Sequence, residues 1–297
     1  MTLDLLVRDA TVIPGDGEPF TASVGTAGGR IELVGAAPDS AHAAEDLDGR
    51  GLLLCPGFVD LHAHSALAPF ADPLQTPKLA QGFTTEVICP DGLAPAPVAP
   101  ERWRERRDYL RPLEGDGPVE WTWTTFAEYL EALDATRPAT SLVPSVGAGA
   151  VRDAVLGGAA VGPTSAQLRA MQDEVRSAAE AGARTLSFGL VYLPGAHATT
   201  DELVALAEAS DLPLVPHVRN EGLGLLGAVD EMIGVARRAG RPLHVSHLKA
   251  MADEAMIEPL LGLLEAASTD VSLTFDQYPY GAGSTLLASV LPPWAQE

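Results

Sequence analysis

Three residues able to do chemistry, Ser187, His217 and His247, stand 30 residues apart in turn, each near the C-terminal end of a short apolar segment. About 30 residues is the length of one strand-plus-helix unit. A point that returns at that period, always at the same end of a strand, predicts a parallel sheet covered by helices and specifically the (β/α)₈ arrangement. The residue identities around the three points do not recur, so this is an architectural period and not a sequence repeat. Strands are expected at 57–61, 84–89, 141–146, 185–191, 214–218, 243–246 and 271–275. Helices fit between them. One spans residues 165–181, with Thr164 or Ser165 as its cap and Gly182 as its end. Others are expected at 201–210, 225–239 (stopped by Gly240) and 255–267. Seven strands are legible before Glu297, and an eighth is expected beyond it. The fold class is therefore read as α/β, a (β/α)₈ TIM-like barrel with about seven strands present.

Residues 1–56 have a different texture. Short β-rich pieces at 5–12, 22–24 and 30–34 are separated by Gly, Pro and Asp turns, with no helical period of useful length. A small β module over 1–56 and a barrel over 57–297 are expected. The stretch 91–123 is Pro-rich, then charged, and carries Trp103, Trp121 and Trp123; it reads as a long excursion from the top of the second barrel strand.

A chain that is 46% hydrophobic and 20% charged can bury a sizeable core. Its formal net charge of -21 repels phosphate backbones and anionic bilayers, so neither nucleic acid nor a membrane is expected as a partner. No run approaches the roughly 18 apolar residues that span a bilayer. The first residues, MTLDLLVRDATV, do not have the layout of a secretory signal. Two cysteines, Cys55 and Cys89, make no disulfide framework, and a reducing, cytoplasmic location fits them.

The candidate chemistry sits at the strand ends. His62 and His64 close the segment PGFVDLHAH. Residues two apart in a strand share a face, so both imidazoles can converge on one ion at the barrel mouth. Cys89 closes the next strand, TTEVICP, and is expected as a thiolate ligand; Cys55 is expected to be a simple apolar residue. His217 in LVPHVRNEG and His247 in HVSHLKA end the fifth and sixth strands. Five donors at one end of four strands predict a metal site, and imidazole with thiolate suits zinc with an open position for water. His42, His197 and His244 lack that placement. A general base is also required, and none of Asp60, Glu221 and Asp276 is compelling.

The segments PGFVDLHAH, Cys89 in TTEVICP, HVRNEG, VSHLKA, DQYPYGAGST and SFGLVYLPG, taken together, resemble the D-aminoacylase branch (N-acyl-D-amino-acid deacylases) of the amidohydrolase superfamily. The resemblance runs over essentially the whole chain. It implies a barrel beside a small β-sandwich, with the N-terminal segment supplying part of the sandwich. It implies a zinc-dependent hydrolase of the amide bond of N-acyl-D-amino acids. The tight zinc would be held by Cys89, His217 and His247, and a second, weaker site by His62 and His64 sharing Cys89. Lys249, Tyr278 and Ser284 would hold the substrate carboxylate, and Tyr192 would line the acyl or side-chain pocket. The family's general base, an aspartate after strand eight, would lie beyond Glu297. The sequence departs from the family at GAGAVR (147–152), where relatives carry GHGxVR. Two other readings are weighed. Dihydroorotase- or hydantoinase-like cyclic amidases carry a lysine on strand four, and TLSFGLVYL has none. A truncated, non-catalytic chain is the other.

Overall fold

The computed structural model describes residues 2–115, 120–291 and 295. The chain divides into two compact units, Met1–Phe58 and Val59–Glu297.

In the first unit, β1 (Thr2–Val12) is the hub. It pairs antiparallel with β2 (Phe20–Ala27), which pairs antiparallel with β3 (Arg30–Gly35). On its other side β1 runs parallel to β4 (His42–Asp48) and β5 (Leu53–Leu54). A bulge between Val7 and Ala10 puts Asp9 at φ 52°, the extra residue that bends a strand. Leu3, Leu6 and Ala41 form its small core. The strands β4 and β5 were not expected. HAAEDLD has no apolar alternation to announce it, and it becomes a strand by pairing with β1.

The second unit holds seven strands in sequential order: β6 (Phe58–Ala63), β7 (Phe83–Ile88), β8 (Ser141–Gly147), β9 (Thr185–Gly189), β10 (Leu214–His217), β11 (Leu243–Val245) and β12 (Leu273–Phe275). Every pairing from β7 to β12 is parallel. The sheet is a curled part of a (β/α)₈ barrel, as the 30-residue spacing predicted. All four residues of β10 are buried, the near-continuous apolar run of a strand covered on both faces.

Helices α1 (Ala68–Ala71) and α2 (Thr76–Leu79) follow β6. The excursion after β7 is more ordered than its composition suggested. It contains α3 (Trp103–Glu114) and leads to α4 (Phe126–Ala135), while its residues 116–119 lie outside those described. Trp123 stacks on Phe70 and Trp121 at 5.3 Å each, so these aromatics are core. The remaining helices are α5 (Ala148–Leu156), α6 (Ser165–Ala181), α7 (Thr200–Ala207), α8 (Leu225–Ala239) and α9 (Ile257–Ala267). Helix α6 starts where expected for a clear reason: Thr164 accepts from the Gln167 amide while Gln167 reaches back, a reciprocal cap. Among the described residues no helix is long and apolar enough to cross a membrane.

Candidate metal centre

His62 lies within β6 and His64 directly follows it; His217 ends β10, and His247 follows β11 by two residues. The four imidazoles meet: His62 lies 4.8 Å from His247 and 5.3 Å from His64, and His217 lies 4.4 Å from His247, ring centre to ring centre.

What they surround is a carboxylate. Asp91 is 2% exposed. Its Oδ2 lies 3.5 Å from His62 Nε2, 3.4 Å from His64 Nε2 and 3.7 Å from His217 Nδ1. Its Oδ1 lies 3.4 Å from His247 Nε2. All four gaps exceed the 2.7–3.2 Å of an N–H···O hydrogen bond. Two ligands of one tetrahedral ion with bonds of about 2.0–2.1 Å stand roughly 3.3 Å apart. The buried atoms Asp91 Oδ1, His62 Nδ1 and His217 Nδ1 have no hydrogen-bond partner, an arrangement that costs about 1–3 kcal/mol per group if nothing else satisfies them. A divalent cation fits this donor set.

An outer ring of carboxylates faces the other ring nitrogens. Glu114 Oε1 is 3.2 Å from His64 Nδ1, and Glu221 Oε1 is 3.0 Å from His247 Nδ1. Glu221 also lies 3.8 Å from His217 Nε2, and Asp276 lies 3.9 Å from His62 Nδ1. Metal-binding histidines are commonly oriented in this way by a carboxylate on the far nitrogen. The electrostatics follow. Burial works against the charge of Asp91, but His62, His217 and His247 outweigh it and hold the carboxyl well below the usual range. Burial likewise opposes charge on His64 and His247, yet Asp91 with Glu114 pushes His64 up to about 10, and Asp91 with Glu221 pushes His247 up to about 9.

Cys89, expected as the shared ligand, does not join the cluster. Its side chain is fully buried against Tyr129, near Glu114 and Arg106, and burial pushes its thiol well up. The reason is local. Cys89 and Asp91 both take left-handed backbone angles, φ 62° and 57°, so the regular alternation of β7 ends at Ile88, before Cys89. The turn then delivers Asp91 instead. Ser187 Oγ donates to the Cys89 carbonyl at 2.8 Å and accepts from the Gly92 amide at 3.1 Å, clamping the turn. Ser187, one of the three periodic residues, is thus a clamp. A Cβ on Gly189 would collide with the Asp91 carbonyl oxygen, and one on Gly147 would come within 2.6 Å of the Gly92 carbonyl. GAGAVR therefore gives the turn room to pack. Its Arg152 pairs with Glu202 at 3.1 Å, both buried.

The expected substrate residues divide. Lys249 is at the centre, 2.5 Å from Glu221 and 3.2 Å from His247 Nδ1. Tyr192 is buried, its ring 5.1 Å from that of His217 and its hydroxyl 2.9 Å from Thr285. Tyr278 lies under Lys249, which is 5.5 Å from the ring centre. Ser284 is exposed on the same loop. Asp60 binds the His62 amide and Lys78, so it is a structural anchor. The residues missed by sequence reasoning are Asp91 and Glu114. Both lie in the excursion; the one signal was Asp91 preceding a glycine two positions past a strand end.

No family model matches the chain. It is 33% identical over 290 residues to the D-aminoacylase of Alcaligenes xylosoxydans xylosoxydans, covering 96% of this chain and 59% of that protein. It is 35% identical over 294 residues to the N-acyl-D-glutamate deacylase of the same organism, covering 96% and 58%. Its structure matches the Bordetella bronchiseptica N-acyl-D-glutamate deacylase, solved with zinc and a phosphonate inhibitor, with a TM-score of 0.87 and 31% identity over 94% of this chain and 59% of that one. The chain thus spans somewhat under three fifths of the relatives it matches. Across its own length, in sequence and in fold, the chain is homologous to the D-aminoacylases and N-acyl-D-amino-acid deacylases.

Proposed function

We propose that the gene product carrying this chain is a zinc-dependent hydrolase that cleaves the amide bond of N-acyl-D-amino acids, giving a carboxylate and a free D-amino acid. One observation carries this reading: the imidazoles of His62, His64, His217 and His247, from three strand ends of one barrel mouth, converge, and three carboxylates face their outer nitrogens. Imidazole-rich sites suit zinc, with one tight and one weaker position. When bound, the ion supplies Lewis acidity toward water and toward an amide carbonyl.

The chain's own residues do the rest. Lys249 provides the cation that an anionic substrate needs on a chain of net charge -21. It is paired with Glu221, so a substrate carboxylate joins an existing ion pair. Tyr278 borders Lys249, Ser284 shares its loop, and Tyr192 walls the pocket beside His217. The rim carboxylates Glu114, Glu221 and Asp276 are each engaged with an imidazole, that of His64, His247 and His244 respectively, at 2.9–3.2 Å. That supports a general base other than these, the aspartate expected after an eighth strand. The division into a β-sandwich portion over 1–56 and a barrel over 57–297 is part of the same reading, as is a cytoplasmic location, which the two free thiols support.

Hydrolysis of N-acetyl-D-methionine by the zinc-loaded gene product, with the L-isomer as control, tests it. Release of D-methionine that is lost on chelation and restored by zinc is expected. A folded protein with zinc bound that turns over neither this nor any other N-acyl-D-amino acid would overturn it.

A further inference from the structure

We propose that Asp91, and not Cys89, is the anionic ligand shared by the four imidazoles, so that the metal centre is built of nitrogen and oxygen donors with no sulfur. This rests on the metal-dependent reading above and concerns which atom brings the negative charge.

The position is the first argument. Asp91 reaches all four histidines at 3.4–3.7 Å, one oxygen toward His247 and the other toward His62, His64 and His217. Those spacings suit neighbouring ligands of a common ion and are long for hydrogen bonds. The second argument is satisfaction. Asp91 Oδ1 is buried without a hydrogen-bond partner, as is His217 Nδ1, the ring nitrogen that faces Asp91, and these are atoms that an ion would engage. The third is construction. The turn 89–92 is fixed by Ser187 from both sides, the Gly92 carbonyl accepts from the Ala150 amide at 3.2 Å, and Gly147 and Gly189 leave the space that the turn fills. A left-handed non-glycine residue costs of order 1–3 kcal/mol, and this turn holds two of them, Cys89 and Asp91. Cys89 faces Tyr129, and neither group of converging metal donors among the described residues includes it.

The chemical consequence is a shift in metal preference. Thiolate selects soft ions, whereas carboxylate and imidazole accept zinc, cobalt and manganese more evenly. Electronic absorption reads this without reference to turnover. A cobalt(II) ion bound by thiolate shows an intense near-ultraviolet sulfur-to-metal charge-transfer band, which imidazole and carboxylate ligands do not produce.

The experiment titrates cobalt(II) into the metal-stripped protein and into Cys89→Ser, Asp91→Ala and Asp91→Cys, with circular dichroism confirming the fold of each. The wild type is expected to bind cobalt with no charge-transfer band, and Cys89→Ser to match it in stoichiometry and spectrum. Asp91→Ala should bind more than about 100-fold more weakly, beyond the 10–100-fold typical of an outer partner. Asp91→Cys should gain the band. A charge-transfer band in the wild type that vanishes in Cys89→Ser overturns the assignment and leaves the metal-dependent reading standing. Folded Asp91→Ala with wild-type cobalt affinity also overturns it. No cobalt uptake by the wild type overturns the metal-dependent reading itself.

Discussion

Among the described residues, the barrel unit buries charged side chains and the N-terminal unit does not. In the N-terminal sheet they pair at the surface: Arg8 with Asp46 at 2.7 Å and Arg50 with Asp48 at 2.6 Å, all in contact with water. The barrel unit has such surface pairs too, Arg237 with Asp270 among them, but it also takes charges inside. Glu86 is buried among Ser65, Thr140 and Lys78, Arg152 is buried with Glu202, and Asp91 is buried among imidazoles. A surface pair contributes little because water already satisfies both partners. A buried charge is costly unless its surroundings replace that water. The barrel's buried charges therefore reveal purpose by how they are satisfied. Glu86 and Arg152 have direct partners at hydrogen-bonding distance. Asp91 has four basic neighbours, all slightly too far away. That mismatch is the ground for proposing that Asp91, unlike Glu86, faces an ion.

Substitutions should widen or close this contrast. The largest effect is expected at Asp91: Asp91→Ala should cost more than about 100-fold in zinc affinity, measured by chelator competition. Arg152→Ala comes next. It leaves Glu202 buried and removes the guanidinium's bonds to the Ala159 and Val161 carbonyls. Roughly 3 kcal/mol of stability should be lost in denaturant titration, with zinc affinity in the folded protein unchanged. Glu221→Gln keeps the shape but removes the charge facing His247, His217 and Lys249; zinc affinity should fall about 10- to 100-fold. Asp46→Asn, on the surface, should leave both the unfolding midpoint and zinc affinity where they were. An Asp46 effect as large as that of Arg152 would erase the distinction between the two units.

The sequence made most of the barrel legible, because its cues are local. Thr164 or Ser165 announced the start of α6, Gly240 announced the end of α8, and the 30-residue period placed His217 and His247 at one mouth. The four histidines could be read for the same reason: strand ends and i,i+2 parity are short-range facts. Asp91 could not, because its orientation depends on Ser187 and Gly189, nearly 100 residues away, and on two left-handed residues that end the strand alternation at Cys89. The thiol is picked out instead by its place at the end of an apolar segment, next to the strand end that carries His62 and His64. Glu114 comes from the last turn of α3, a helix whose charged composition hid it within a presumed loop. Strand β4 was missed because its pairing with β1, not its own pattern, makes it a strand.

The central claim, a divalent ion held by His62, His64, His217 and His247 around Asp91, is most directly tested by anomalous diffraction at the zinc edge from zinc-soaked crystals. A peak within bonding distance of Asp91 and at least two of these imidazoles is the predicted result. A peak bonded to the Cys89 sulfur, or zinc bound only elsewhere on the protein, would contradict it.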